Sequence, residues 1–314
     1  MDLGKKKCLI IGDIMLDHYI SGKCNRVSPE APVPIVEVFS EKYILGGAAN
    51  LANNIISLGL EATLISVIGD DNPGARLIKL VKKNKIKSII LQSKNRKTTI
   101  KTRVLVDGHH IVRLDNESKE ELTSEDERKI ETLLMSEIIN HDIILLSDYN
   151  KGTLTNRLVQ SVVRMAINKK IKIFVDPKSK NFSKYKGVSL IKPNLNEAVI
   201  ASGINIKDEN SLKAAALKIK KIVNCDAVVI TMSERGAYLY TKRQHFLIPA
   251  ISKEVVDVTG AGDTFLAALT SATLKSLDLF DACKFANYAS ALAVIKSGNA
   301  CVTEKEISNL VNNE

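Results

Sequence analysis

The sequence predicts an α/β fold: a mainly parallel central sheet with helices on both faces, carrying a small β-sheet lid. Three observations lead there. Short β-branched runs alternate with longer helical patterns along most of the chain. Two segments break that rhythm with a strand-like pattern of their own. There is no internal repeat, low-complexity tract or Pro/Gly/Ser-rich linker, so residues 1–314 are expected to form a single domain.

The first strand is CLIIG, 8–12. A helical pattern at 50–59 leads to the strand TLISVIG at 63–69 and a helix from about Asn72 to Lys83. The next helix opens on Ser124, Glu125, Asp126 and Glu127, a pattern that reads as a capping box. The strand DIILLS (142–147), a helix over 155–168, the strand KIFVDP (172–177) and a further strand at VSLIKP continue the alternation. Of the two interruptions, APVPIVEVF (31–39) is extended. The other, TTIKTRVLV (98–106), sets Ile100, Thr102, Val104 and Val106 against Lys101, Arg103 and Leu105, then meets an Asp107-Gly108 turn and the strand HIVRLD, 110–115. These place lid segments at about 15–45 and 97–115. Open α/β sheets bind ligands beyond the carboxyl ends of their strands, where such a flap can close; an ordinary edge hairpin is the alternative.

Composition works by exclusion. Apolar residues at 45% and charged ones at 25% are the balance of a globular protein and exclude a disordered or fibrous chain. The apolar run from Cys8 to Ile11 is cut at once by Gly12 and Asp13, too early for a secretion signal, and no later run is long enough to span a bilayer. A cytoplasmic protein without a membrane partner is therefore expected. The five cysteines, Cys8, Cys24, Cys225, Cys283 and Cys301, are widely separated and read as reduced packing thiols. The net charge of +10 resides mainly in helix-like stretches at 79–85 and 217–222, as on solvated faces, with attraction of a polyanionic small substrate as the alternative. With 4% aromatic residues and no nucleic-acid motif, nucleic acid is not an expected partner.

The strongest local signal is DVTGAGDTFLAALTSATL, 257–274. Gly260, Ala261 and Gly262 precede a helical pattern starting near Asp263, so their amides and the helix dipole can cradle an anion such as a phosphate. Asp263 could equally be a plain N-cap. A second glycine turn, LGGAAN (45–50), runs into the helix at Asn50, and Asp13 and Asp17 follow the first strand. Glycines admit a close ligand and carboxylates accept bonds from sugar hydroxyls, while a tight turn and solvated loop acids are the bland readings. KPNLNEA (192–198) sets Asn194 and Glu197 three apart after a strand, as a ligand loop or as a helix start. The chain has no Walker A motif, intact G-x-G-x-x-G, protein-kinase set or H-E-x-x-H. His18, His109, His110, His141 and His245 have no metal-ligand spacing.

GGAAN near the start and DVTGAGDTF near the end resemble the two signatures of the ribokinase-like (PfkB) carbohydrate kinases. Residues 12–38, containing RVSPEAPVP, together with TKTRVLVDGHHIVRLD, LSDYNKGTLT, VDPKSKNFSKY and KPNLNEA, closely resemble the D-glycero-D-manno-heptose 7-phosphate kinases. The resemblance runs from about Lys7 to Thr303 and implies phosphorylation of a heptose 7-phosphate by ATP with Mg²⁺. It implies Asp263 as catalytic base and Gly260, Ala261 and Gly262 as the anion hole. Asn194, Leu195, Asn196 and Glu197 resemble the nucleotide and magnesium site, with Glu197 holding Mg²⁺ through water. Thr231, Ser233 and Gly236 match a phosphate and ribose loop, and Asn287, Ala291 and Gly298 sit where relatives enclose adenine. Asp257 and Thr259 resemble ligands of a monovalent cation such as K⁺. Asp17, Gly46, Gly47, Asn50, Arg103, Asp148 and Lys178 resemble sugar-site positions. A homodimer through the flaps is implied too. Many relatives are fused to an adenylyltransferase carrying H-x-G-H; this chain has no such motif, so phosphorylation without adenylylation is expected. Another sugar or sugar-phosphate kinase, for fructose phosphate, tagatose phosphate or ribose, and a sugar-phosphate-binding regulator without turnover are the alternatives.

Overall fold

The computed structural model describes residues 5–251, 254–296 and 298–312. From the amino end the chain runs β1 (Lys7–Gly12), β2 (Ile14–Val27), β3 (Pro34–Gly47), α1 (Ala48–Ser57), β4 (Glu61–Gly69), α2 (Asn72–Lys83) and β5 (Lys87–Ser93). The hairpin of β6 (Thr99–Val106) and β7 (His109–Asn116) follows, then α3 (Ser124–Glu137), β8 (Ile143–Ser147), α4 (Asn156–Lys169), β9 (Lys172–Asp176) and β10 (Leu190–Ile191). The rest holds α5 (Leu195–Ser202), α6 (Glu209–Val223), β11 (Ala227–Thr231), β12 (Ala237–Thr241), β13 (His245–Ile248), α7 (Ala261–Leu274), α8 (Leu279–Val294) and α9 (Glu304–Val311).

Nine strands form one sheet in the order β13-β12-β11-β10-β9-β8-β1-β4-β5, parallel from β11 to β5 and antiparallel where β12 and β13 join. Strand β1 shows why the sheet is covered on both faces. Cys8 and Ile10 enter a core shared with Leu51 and Ile55 of α1 and Phe265 and Leu269 of α7; Leu9 and Ile11 enter another with Ile130 of α3, Val162 of α4 and Ile219 of α6. Successive strand residues point to opposite faces, so one short apolar run builds both layers, and each fully buried Leu or Ile contributes about 1.5–3 kcal/mol. Helix α7 is buried at every position from Asp263 to Ala272, as its small and apolar sequence allows, and packs between α1 and α8.

The second sheet has four strands, β3-β2-β6-β7, and is the small separate sheet expected of the two interruptions, termed the lid for its position. The Asp107-Gly108 turn forms with both residues at positive φ, 49° and 84°, as the sequence requires. Register decides what the lid presents. Asp17 lies beside Ile44 and Lys101, and Lys101 beside Asp115; Tyr19 lies beside Arg103, and Arg103 beside Arg113. Paired residues and their second neighbours share a face, so Asp17, Tyr19, Lys101, Arg103, Arg113 and Asp115 line one side. The intervening residues form the other, where His18 stacks on Tyr43 at 4.0 Å and Arg76 of α2 lies over the Tyr43 ring at 3.9 Å.

Several local expectations are corrected. The third helix is capped by Thr123, whose hydroxyl accepts from the Asp126 amide, not by a box at Ser124; the extended backbone ends one residue earlier. Helix α7 starts at Ala261 with Gly260 as N-cap, so Asp263 sits inside the first turn and caps nothing. Strand β2 continues for 14 residues through a segment without strand alternation, because β3 and β6 pair with it on both sides, and VSLIKP contributes only the two residues of β10. All five cysteines are free thiols, and burial pushes Cys225 and Cys283 up to about 12, which suits packing roles. Among the described residues no helix is long and apolar enough to cross a membrane.

Candidate active site

The carboxyl ends of β1, β8, β9 and β10, the first turn of α7 and the inner face of the lid meet around Asp263. This carboxyl group is 3% exposed. Asn50 of α1 donates to its Oδ2 at 2.7 Å and Tyr149, on the loop after β8, donates to its Oδ1 at 2.9 Å. The next residue, Thr264, donates to Asn54, one turn beyond Asn50, at 3.0 Å, so polar pairs join α1 to α7 beside the site. Burial, with the nearby Asp176 carboxylate, raises the Asp263 pKa to about 7 against the pull of Asn50, Tyr149 and Lys192. A carboxylate tuned to neutrality is matched to taking up a proton at working pH.

Beside it lies an anion cradle. No side chain caps α7, Gly260 is left-handed at φ 79°, and the Ala261 amide donates to the Val258 carbonyl at 3.3 Å, which leaves the exposed Gly262 as the open position of the first turn. A Cβ on Gly260 would lie 2.9 Å from both Asn299 and Asn50, so only glycine fits this close approach. The position of a Gly262 Cβ is 3.6 Å from Lys192 Nζ, and Lys192, 2% exposed, pairs with Asp176 at 3.1 Å. A buried ammonium thus flanks the cradle.

On the lid side, Asp17 accepts from Arg103 at 2.5 Å and from Asn299 at 2.9 Å, and Asn299 also donates to the Leu45 carbonyl. A Cβ on Gly46 would run into the Asp17 carboxylate, and Gly47, at φ 62°, is the N-cap residue of α1. Asp17, Gly46, Gly47, Asn50 and Arg103 are therefore gathered beside Asp263. Asp148 is not free in the same way. It accepts from Asn150 at 2.7 Å and meets Tyr185 and Lys184 at 2.5 Å each, and so fixes its own loop. Asp13 is neither a solvated loop acid nor open to sugar: buried, it accepts the amides of Tyr149, Lys151 and Thr153.

Asn194 and Glu197 form a reciprocal capping box at the start of α5. The other Glu197 oxygen meets Lys178 at 2.6 Å. Burial opposes the Lys178 charge, but Asp176, Glu197 and Asp263 outweigh it and hold its pKa above the ordinary value. Leu195 tucks against the core and Asn196 is exposed. Thr231 ends β11; Ser233 lies in a short 3-10 turn, with Gly236 at φ 83° closing against the Ile248 carbonyl. Asn287 of α8 donates to the carbonyls of Ile248 and Pro249, tying that helix to the same edge, and Ala291 is buried one turn on. Asp257 accepts the amides of Thr259 and Gly298 at 2.9 and 3.0 Å. Burial works to raise its pKa, but Thr259, Gly298 and Arg103 prevail and hold it low, leaving a hard anionic oxygen that fits a small cation. Among the described residues no cluster of three or more His, Cys, Asp or Glu side chains forms a metal site.

Tyr149, Asp176, Lys192 and Asn299 belong to this site, yet no sequence signal singled them out for it. Asp176 ends β9 and Lys192 follows β10, both at strands already expected, and their position at carboxyl ends is the available clue. Asn299 lies 282 residues from Asp17, a pairing that only the fold reveals.

A family model described as pfkB family carbohydrate kinase matches residues 5–305. Among curated relatives, Bifunctional protein HldE of a Nitratiruptor species is 43% identical over 303 residues, which are 96% of this chain and 64% of that protein. The protein of the same name from Helicobacter pylori is 42% identical over 308 residues, 98% of this chain and 66% of its own length. The chain thus spans a little under two thirds of these relatives. Phosphofructokinase-2 from Escherichia coli, solved in complex with potassium, superposes with a TM-score of 0.82 at 17% identity, covering 99% of each chain. Arabidopsis thaliana ribokinase, complexed with ribose and ATP, gives 0.76 at 18% identity, covering 98% of this chain and 99% of that one. Both share the ribokinase-like architecture. From family match and fold alike, the chain belongs to the pfkB family of carbohydrate kinases.

Proposed function

We propose that this chain transfers the γ-phosphoryl group of ATP to the anomeric 1-hydroxyl of D-glycero-D-manno-heptose 7-phosphate, giving the 1,7-bisphosphate, a precursor of ADP-heptose and lipopolysaccharide. The observation that carries the reaction type is a buried carboxylate, Asp263, tuned to about 7 beside the uncapped first turn of α7. Asp263 takes the proton from the 1-hydroxyl, the oxygen attacks phosphorus in line, and the bond to the β-phosphate oxygen of ATP breaks. The amides at 260–262 and Lys192 stabilise charge on the transferred group. Mg²⁺, held near Glu197, would supply neutralisation of the triphosphate, and Asp257 and Thr259 would hold a monovalent cation that steadies the cradle.

Identity to relatives named HldE and the cationic lid face support the heptose phosphate assignment. The lid cations are not equivalent. Arg103 is paired with Asp17 and Arg113 with Asp115, whereas the Lys101 ammonium has no hydrogen-bond or ion-pair partner among the described residues. Burial and the like charge of Lys151 press its pKa down, so a bound phosphate would relieve it most. The test is steady-state kinetics with ATP on heptose 7-phosphate, heptose and other sugar phosphates. Heptose 7-phosphate should exceed the unphosphorylated sugar by at least about tenfold in kcat/KM, and Lys101→Met should erase most of that preference. Equal kcat/KM for both sugars would overturn the heptose phosphate reading and leave a sugar kinase; no sugar-dependent turnover of ATP would point to a binding regulator.

Self-association through the lid belongs to the same proposal. Val38, Phe39, Ile111, Val112 and Leu114 are exposed apolar residues on that sheet.

A further inference from the structure

Asp263 has a donor on each oxygen, and the two donors arrive by different routes. Asn50 comes with the packing of α1 on α7. Tyr149 comes on a loop, and the fold fixes that loop with unusual thoroughness. The buried Asp13 carboxylate accepts three of its amides, from Tyr149, Lys151 and Thr153. A second buried carboxylate, Asp148, accepts the Asn150 amide and is itself held by Tyr185 and Lys184. Arg96 donates to the Lys151 carbonyl from the far side. Asn150 and Gly152 are left-handed at φ 56° and 87°, and a Cβ on Gly152 would run into the Glu120 carbonyl. Two carboxylates and a strained backbone thus fix the segment that carries one ring, whose hydroxyl, among the described residues, has a single hydrogen bond, to Asp263.

We propose that Tyr149 is a positioning residue for the proton acceptor: its hydroxyl orients the Asp263 carboxylate and, by donating to it, keeps it the ionised acceptor that an incoming sugar hydroxyl needs. The charges around the pair make such a donor necessary. Asp176 and Asp17 face the pair as like charges, while Lys192 and Lys178 partly compensate. A buried carboxylate beside another carboxylate tends to take up a proton unless donors stabilise it. The phenol remains a donor throughout, because burial, Asp263 and Asp176 push its own pKa far up. Each carboxylate oxygen has two lone pairs and one donor here, so a sugar hydroxyl can bind without displacing Tyr149.

The inference rests on Asp263 being the acceptor, and the experiment separates the two claims. Asp263 is titrated by carboxyl ¹³C NMR in the substrate-free protein, its resonance assigned by loss in Asp263→Asn. The pH dependence of kcat/KM is measured alongside with heptose 7-phosphate. In Tyr149→Phe the Asp263 midpoint should rise by about one pH unit. Turnover near neutral pH should fall about fivefold, approaching tenfold at lower pH, and recover as the pH is raised, with KM for ATP unchanged. Fluorotyrosine at 149, a stronger donor, should move the midpoint to lower pH, a sign that a merely structural role would not produce and a readout that stands if the Phe variant fails to fold. An unmoved midpoint in the substituted proteins overturns the inference. A midpoint that moves while the acid limb of turnover stays put removes Asp263 as the acceptor, and with it any catalytic part for Tyr149.

Discussion

At the scale of single residues, the proposed chemistry rests on Asp263, a buried carboxylate with a donor on each oxygen. Replacing Asp263 by Asn keeps its shape and should lower kcat by about 10²- to 10⁴-fold, the usual contribution of a positioned general base, while ATP binding persists. A variant that keeps more than about half of the wild-type kcat would exclude this role. In the wild type, kcat/KM should decline below about pH 7, because the acceptor must be ionised and its pKa is raised to that value. Glu197→Gln should raise the Mg²⁺ concentration needed for half-maximal rate, since an amide replaces a hard anionic oxygen poorly. Its capping bond to the Asn194 amide can be kept by the Gln carbonyl, so a melting temperature close to wild type should accompany the altered metal dependence.

At the scale of elements, the lid and α7 are coupled through side chains rather than backbone. Asn299 joins Asp17 to the Leu45 carbonyl and stands beside Gly260. Gly46→Ala should therefore act on the sugar side: its new methyl group would push Asp17 away from Arg103 and Asn299. KM for the sugar should rise at least about tenfold, the effect of losing a charged hydrogen bond, with KM for ATP little changed. Equal effects on both substrates would show that α1 had moved as a whole. Much of this scale was legible beforehand. The helix at 72–83 and the Asp107-Gly108 hairpin form as the pattern dictates, because periodicity and turn chemistry are local. Strand β2 was not legible, because its partners on both sides, not its own alternation, make it a strand.

At the scale of the whole molecule, charge and stability carry the tests. With a net charge of +10, added salt should raise KM for heptose 7-phosphate more than for heptose. Because folding raises the Asp263 pKa above the ordinary carboxylate value, its contribution to stability is fully present below about pH 4 and is lost as pH rises through about 7. Asp263→Asn should therefore gain stability relative to wild type between about pH 5 and about pH 8, by an amount on the order of a few kcal/mol. Denaturant unfolding at both pH values measures it, and an unchanged difference would show that Asp263 titrates normally. If the lid mediates association, Phe39→Glu should shift sedimentation toward the monomer, because it places a charge in an apolar contact.

The sequence by itself determined the alternation of strands and helices, the glycine-rich start of α7 and the carboxylate that follows it, since each is a pattern within a few neighbouring residues. What only the tertiary structure decided is how those residues are joined. It placed Asp263 inside the first turn rather than at its cap, and it engaged Asp13 and Asp148 in fixing a loop. It also brought Asn50 and Tyr149 to Asp263 across 213 and 114 residues. Hydrogen bonds and charge effects depend on distance in space, and for groups so far apart along the chain that distance is set by packing.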